Sequence, residues 1–195
     1  MSPELVRTAE IAATLLGAAY VILAARRNRL CWAAGALSSV LVGALSFARE
    51  LPMQGALNVY YVGMAMYGFW NWSRMSGEGE LPVGTLALRW HLVAAAVIVP
   101  LSWATAGILA RETQSAAWPL LDSLTTWFSL FATWLVARAR IENWIYWIII
   151  DGVLVYLYYM QGLPVIALQF AIFTGLALSG FIAWRRRLGA QAAPP

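Results

Sequence analysis

The chain has 195 residues, of which 62% are hydrophobic and 11% charged, with a formal net charge of +4 and a mean hydropathy of +0.68. A soluble domain is about 45–50% apolar and about 25% charged, so this composition excludes a soluble globular fold. Every basic residue is an arginine at the end of an apolar run, and without a basic face or stripe the charge points to lipid head groups and not to nucleic acid.

The N-terminus, MSPELVRTAE, places Glu4 and Glu10 before its apolar segment. It lacks the basic start and small-residue cleavage site of a signal peptide, so the first helix is expected to be retained. Seven apolar runs follow, near residues 10–25, 32–48, 53–72, 90–110, 118–137, 144–160 and 163–184. Each approaches the roughly 20 residues that a bilayer requires. Helices satisfy their own backbone in lipid, which open sheets cannot. Trp32, Trp72, Trp90, Trp118, Trp144 and Trp184 mark run ends, where indole rings are expected to sit as interfacial anchors. Cys31, the only cysteine, leaves no disulfide framework and no cysteine-based metal site. Residues 73–89 read as the one substantial loop, and the tail after Arg187 reads as disordered.

Orientation follows from the arginines, because short loops rich in Arg stay in the cytoplasm. Arg26, Arg27, Arg29, Arg74, Arg89, Arg138, Arg140, Arg185, Arg186 and Arg187 share one side, and Arg7, Arg49 and Arg111 lie on the other. The N-terminus is therefore expected outside and the C-terminus inside.

An offset of 112 residues, without gaps, reveals an internal repeat. It superimposes Arg26 on Arg138, Trp32 on Trp144, Leu51-Pro52 on Leu163-Pro164, Gly63 on Gly175, Gly68-Phe69 on Gly180-Phe181 and Trp72 on Trp184, and it sets Glu10 on Asp122. A directly following three-helix copy would be inverted, and one extra helix restores its orientation. The expected fold is thus an all-α integral membrane protein in a 3+1+3 plan: repeat 1 over residues 10–72, a cytoplasmic loop over 73–89, a linker helix over 90–110, repeat 2 over 119–184 and a cytoplasmic tail over 185–195. Parallel repeats of this SWEET-like kind place a substrate at the repeat interface.

Polar residues inside the runs are costly in hydrocarbon and mark cavities or helix contacts. Gln54, Asn58 and Tyr61 share one stripe of helix 3 at i, i+4 and i+7. Asp122, Thr126, Ser129 and Thr133 form a stripe on helix 5, Trp144, Trp147 and Asp151 one on helix 6, and helix 7 adds Gln169. Each has a plainer reading. Hydroxyls bond back to their own helix, amides glue helices together, and Asp122 and Glu10 could pair with Arg111 and Arg7. Glu142 and His91, each beside an arginine at a helix start, read as a capping or pairing group and an interfacial group.

The stretches NVYYVGMAMYGFWNW (58–72), LDSLTTW (121–127) and ENWIYWIIID (142–151), continued by Tyr158, Gly162, Gly180-Phe181 and Trp184, resemble the PnuC vitamin transporters over nearly the whole chain. The resemblance implies facilitated diffusion of nicotinamide riboside, or of thiamine or another vitamin, through a bacterial inner membrane. It also implies trapping by a cytoplasmic kinase and a site among helices 3, 5, 6 and 7. The candidate substrate-binding set is Gln54, Asn58, Tyr61, Thr126, Asn143, Trp147, Asp151 and Gln169, with no catalytic residue, metal or cofactor expected. A pyridinium, a carboxamide and a ribose would need aromatic faces, amides and hydroxyl acceptors, which this set contains. Thiamine, also a flat cation, would be served as well.

A retinal protein is excluded because the chain has no lysine for a Schiff base. An enzyme is disfavoured, since no Ser or Cys pairs with a buried His and no phosphate loop occurs. A membrane sensor or receptor stays open as an alternative, as does assembly into a homo-oligomer.

Overall fold

The computed structural model describes residues 2–49, 52–76, 81–112 and 118–192. They form seven helices: α1 (Pro3–Ala25), α2 (Cys31–Ala48), α3 (Pro52–Ser76), α4 (Leu88–Glu112), α5 (Pro119–Ala137), α6 (Asn143–Met160) and α7 (Pro164–Ala192). Five of them, all except α3 and α6, are long and apolar enough to cross a membrane. Of the two that fall short, α3 carries Gln54, Asn58 and Asn71, and α6 carries Asn143 and Asp151 among six Tyr and Trp residues.

Local chemistry sets the ends. Pro3 and Pro119 open α1 and α5, where a missing N–H costs nothing. The Ser2 hydroxyl accepts from Leu5 N–H at 3.3 Å, and this cap starts α1 seven residues before the expected Glu10. α1 and α5 each stop at a left-handed residue, Arg27 (φ 58) and Ala139 (φ 51). Asn28 N–H returns to Leu23 O and Arg140 N–H to Leu135 O, both at 2.9 Å, which is the Schellman closure without its usual glycine. All three positions of one turn match those of the other at the same offset of 112.

Helices adjacent in sequence pack together within each half, and the halves meet where α1 touches α7 and α3 touches α5. α4 packs on α5. The join is reciprocal. The Trp72 indole donates to Val136 O at 3.0 Å and the Trp184 indole to Ala24 O at 3.1 Å, so donors and acceptors alike are 112 residues apart. Such exchange of partners is the mark of a two-fold operator. Because Trp72 and Val136 both lie near the ends of their helices, α3 and α5 run parallel, and α7 and α1 do so likewise. The axis therefore runs along the helices, as for parallel repeats. Trp72 and Trp184 stand 6.1 Å apart between ring centroids. Trp32 meets Trp72 edge-on at 5.4 Å, and Trp144 meets Trp184 edge-on at 5.5 Å.

These four tryptophans correct the expectation of interfacial anchoring: Trp32, Trp72, Trp144 and Trp184 are at most 3% exposed. Gly68 and Gly180 explain why, since each presents bare backbone to the Trp32 or Trp144 ring, and a ring so seated is core. Trp90 and Trp118 remain exposed at helix starts.

Two further expectations change at the arginine-bearing end. The tail is not disordered through its described length, because α7 continues to Ala192. Leu188 packs on the tryptophan core and Gln191 Oε1 accepts from Val83 N–H at 3.3 Å. The loop is a strap. Gly84 N–H donates to Ala139 O and its carbonyl accepts from Ile141 N–H, both at 3.0 Å. Leu86 N–H donates to Glu142 Oε1 at 2.9 Å and Arg140 to Thr85 O at 2.9 Å, while Leu81 and Val83 are buried beneath. Glu142 thus pairs with backbone and not with its neighbouring arginines. At the opposite end Glu10 pairs with Arg49, where α1 begins and α2 ends, and not with Arg7; the side chain of Arg111 lies outside the described residues.

Candidate functional site

The centre of the bundle is built around Tyr61. α3 packs on α5, and the Tyr61 hydroxyl lies beside Ser129 of α5 and within electrostatic reach of Asp151 of α6. Tyr20 of α1, in the same half, comes within electrostatic reach of Tyr61. Asp151 is 6% exposed and Ser129 is equally buried. Trp147, one turn before Asp151, is half-buried and packs against the tryptophan core. Four helices thus bring a phenol pair, a hydroxyl, a carboxylate and an indole to one region.

The other predicted residues are dispersed. Asn58 is buried, but its Nδ2 donates to Gln54 O on its own helix at 2.8 Å, and a Cβ on Gly43 of α2 would stand 3.2 Å from its own Cβ. It borders a groove of about 280 Å³ on the outer face between α2 and α3, with Ser39, Val40 and Phe47. Gln54 is exposed, and Thr126 and Gln169 are half-buried. Asn143 is fully buried in the α5–α6 turn, its Nδ2 donating to Arg140 O at 2.6 Å. That places it eight residues before Asp151, about 12 Å along α6. A second groove, about 330 Å³ and apolar, lies between α4 and α5 against Trp90, Phe131 and Trp134. On α5 the hydroxyls of Thr125, Ser129 and Thr133 bond back to carbonyls four residues earlier, as the plainer reading held. His91 is not merely interfacial: it stacks on Tyr146 at 5.8 Å and its Nδ1 lies 3.0 Å from the Tyr146 hydroxyl.

Sequence reasoning missed Tyr20, and with it the seam-forming Tyr60 and Asn71, which bond Leu130 O at 3.0 Å and Ala137 O at 2.7 Å. The signal for Tyr20 was a departure from the repeat. A shift of 112 aligns Tyr20 with Ala132 and Gly35 with Trp147. In the first half the Tyr20 ring fills the space over Gly35, which has no room for a Cβ; in the second half the large and small residues trade helices. Similarly Tyr61 and Ser129 correspond to Phe173 and Gly17, which also face each other. The scaffold is two-fold, whereas the polar chemistry belongs to one seam, α3 against α5, with Asp151 of α6 within electrostatic reach of it.

The family profile described as Nicotinamide mononucleotide transporter matches residues 7–186. The chain belongs to this family. Among curated relatives, the nicotinamide riboside transporter PnuC of Escherichia coli (strain K12) is 26% identical over 201 residues, covering 90% of this chain and 84% of the relative. The riboflavin/roseoflavin transporter RibM of Streptomyces davaonensis is 27% identical over 192 residues, covering 95% and 88%. The fold resembles the crystal structure of the vitamin B3 transporter PnuC, with a TM-score of 0.74 at 22% identity over 94% of this chain and 83% of that one. This member of the family is a multi-pass membrane transporter of the vitamin type, not an enzyme.

Proposed function

We propose that the chain carries nicotinamide riboside across a bacterial inner membrane by facilitated diffusion, with a cytoplasmic kinase phosphorylating the riboside so that it cannot return. The observation that carries this reading is the grouping of Tyr61, Ser129 and Asp151 near one seam, with Tyr20 of the first half within electrostatic reach of Tyr61. Flat aromatic faces beside hydroxyl and carboxylate acceptors match a pyridinium joined to a ribose. The 26% identity to a relative named for that substrate supports it. Trp147 would stack on the ring, and Gln169 would reach the carboxamide. Residues 10–72 and 119–184 would be the two units that rock about the site, joined by helix 90–110, with the arginine-bearing end in the cytoplasm. RibM, at 27% identity, favours riboflavin as the second reading.

The test is uptake of labelled nicotinamide riboside into sealed liposomes holding the purified protein. Entry is expected to stop when inner and outer concentrations match, and to continue when a riboside kinase and ATP are enclosed. Uptake of riboflavin or thiamine with none of nicotinamide riboside would overturn the assignment.

A further inference from the structure

Asp151 raises a question that the fold does not answer. It sits in the interior of a membrane-spanning bundle at 6% exposure, and among the described residues no hydrogen bond or ion pair is made by its carboxylate. A carboxylate in such a place persists where a positive group or a water-filled path compensates it. Among the described residues none supplies a cation there. All the arginines stand at the ends of apolar runs, and the one that closes α5, Arg138, is nine residues past Ser129, about 13 Å along the helix.

Architecture does not demand the acid either. Its counterpart under the shift of 112 is Ser39, which lines the outer groove of the first half. Were a carboxylate needed to hold helix 2 of a repeat in place, both halves would carry one. Within electrostatic reach of Asp151 is Tyr61, whose hydroxyl lies beside Ser129, and Trp147 is one turn away on the same helix: π faces and hydroxyls, all compatible with a delocalised cation and none able to neutralise an acid.

We propose that Asp151 is the counter-charge for a positively charged substrate and so selects flat cations over neutral molecules of the same shape. This rests on the reading of the protein as a nicotinamide riboside carrier, and it names the residue that recognises the positive charge of the pyridinium ring. It also sets this chain apart from a riboflavin carrier, because the flavin is neutral.

The experiment is competitive uptake by wild type, Asp151→Asn and Asp151→Glu with two probes that differ little except in charge: nicotinamide riboside, and its neutral dihydro form. Wild type is expected to prefer the cation. Asp151→Asn is expected to lower the ratio of cation to neutral uptake by about 10-fold or more, since removing one partner of a desolvated charge pair is costly, while Asp151→Glu retains most of the preference. If Asp151→Asn does not fold, Asp151→Ser, which installs the residue of the first half, takes its place, with folding checked by thermal melting. Transport of nicotinamide riboside with an unchanged ratio in Asp151→Asn would overturn the role of Asp151 and leave the function intact. Wild-type transport of neither riboside would overturn the functional reading, and wild-type preference for the neutral form would overturn the charge assignment itself.

Discussion

Asn58 and Trp147, equal candidates in sequence, part company once their neighbours are known. Asn58 donates along its own helix through its amide and sets its Cβ over Gly43, so it belongs to the contact between α2 and α3. Asn58→Ala is expected to reduce stability by about 1 kcal/mol through the lost bond while leaving riboside affinity within about 2-fold. Trp147 instead lies one turn from Asp151 on α6. Loss of its ring in Trp147→Ala is expected to weaken binding by about 1–2 kcal/mol, roughly 5- to 30-fold. Calorimetry on the folded variants separates the two; wild-type affinity in Trp147→Ala would remove it from the site. The sequence stripe placed both correctly as polar or amphipathic groups in a hydrophobic helix. It could not tell which faced a sister helix and which the centre.

Among the elements, the turn-and-tryptophan unit recurs and explains how two halves of modest identity share one geometry. Gly68 receives Trp32 and Gly180 receives Trp144 so closely that an added Cβ would fall 2.3 Å and 2.6 Å from ring atoms. Both neighbours are rigid indoles, so Gly68→Ala and Gly180→Ala are each expected to cost about 1–3 kcal/mol from overpacking. The repeat pairs them with an internal control. Gly63 and Gly175 have open space where a Cβ would go, so Gly63→Ala and Gly175→Ala should be neutral or stabilise by up to about 1 kcal/mol through helix propensity. Thermal melting in detergent reads all four, and equal losses at the open and closed glycines would refute this packing account. Helix ends were less legible than helix existence. The start of α1 depends on one serine cap, and the end of α7 on Gln191 reaching a strap more than a hundred residues away in sequence.

At the scale of the molecule, the arginines and the strap lie at the same end. The turns after α1 and α5, the segment 81–87 and the end of α7 gather there with Arg27, Arg140 and Arg187. Ten of the thirteen arginines flank that end, so a reporter active only in the cytoplasm is expected to work when fused after Arg187 and to fail before Pro3. The reverse pattern would invert the proposed topology. The strap also breaks the two-fold symmetry: it pairs with the second-half turn at Ala139 and Ile141. The polar seam breaks it again in the interior, so the two halves, alike in backbone, differ where a substrate would touch them.

Hydrophobic run length and the 112-residue self-match together determined the helix count, the repeat and the parallel plan, because a bilayer demands long apolar helices and a duplicated fold keeps its tryptophans, prolines and glycines. Tertiary structure alone decided which face of each helix is interior. Lipid tails and protein interior are equally apolar, so a membrane helix shows no reliable contrast between its buried and exposed sides. For that reason Trp72 and Trp184, which looked like anchors, proved to be the bonds across the axis, and Tyr20 joined the centre through its packing over Gly35 and against Trp32.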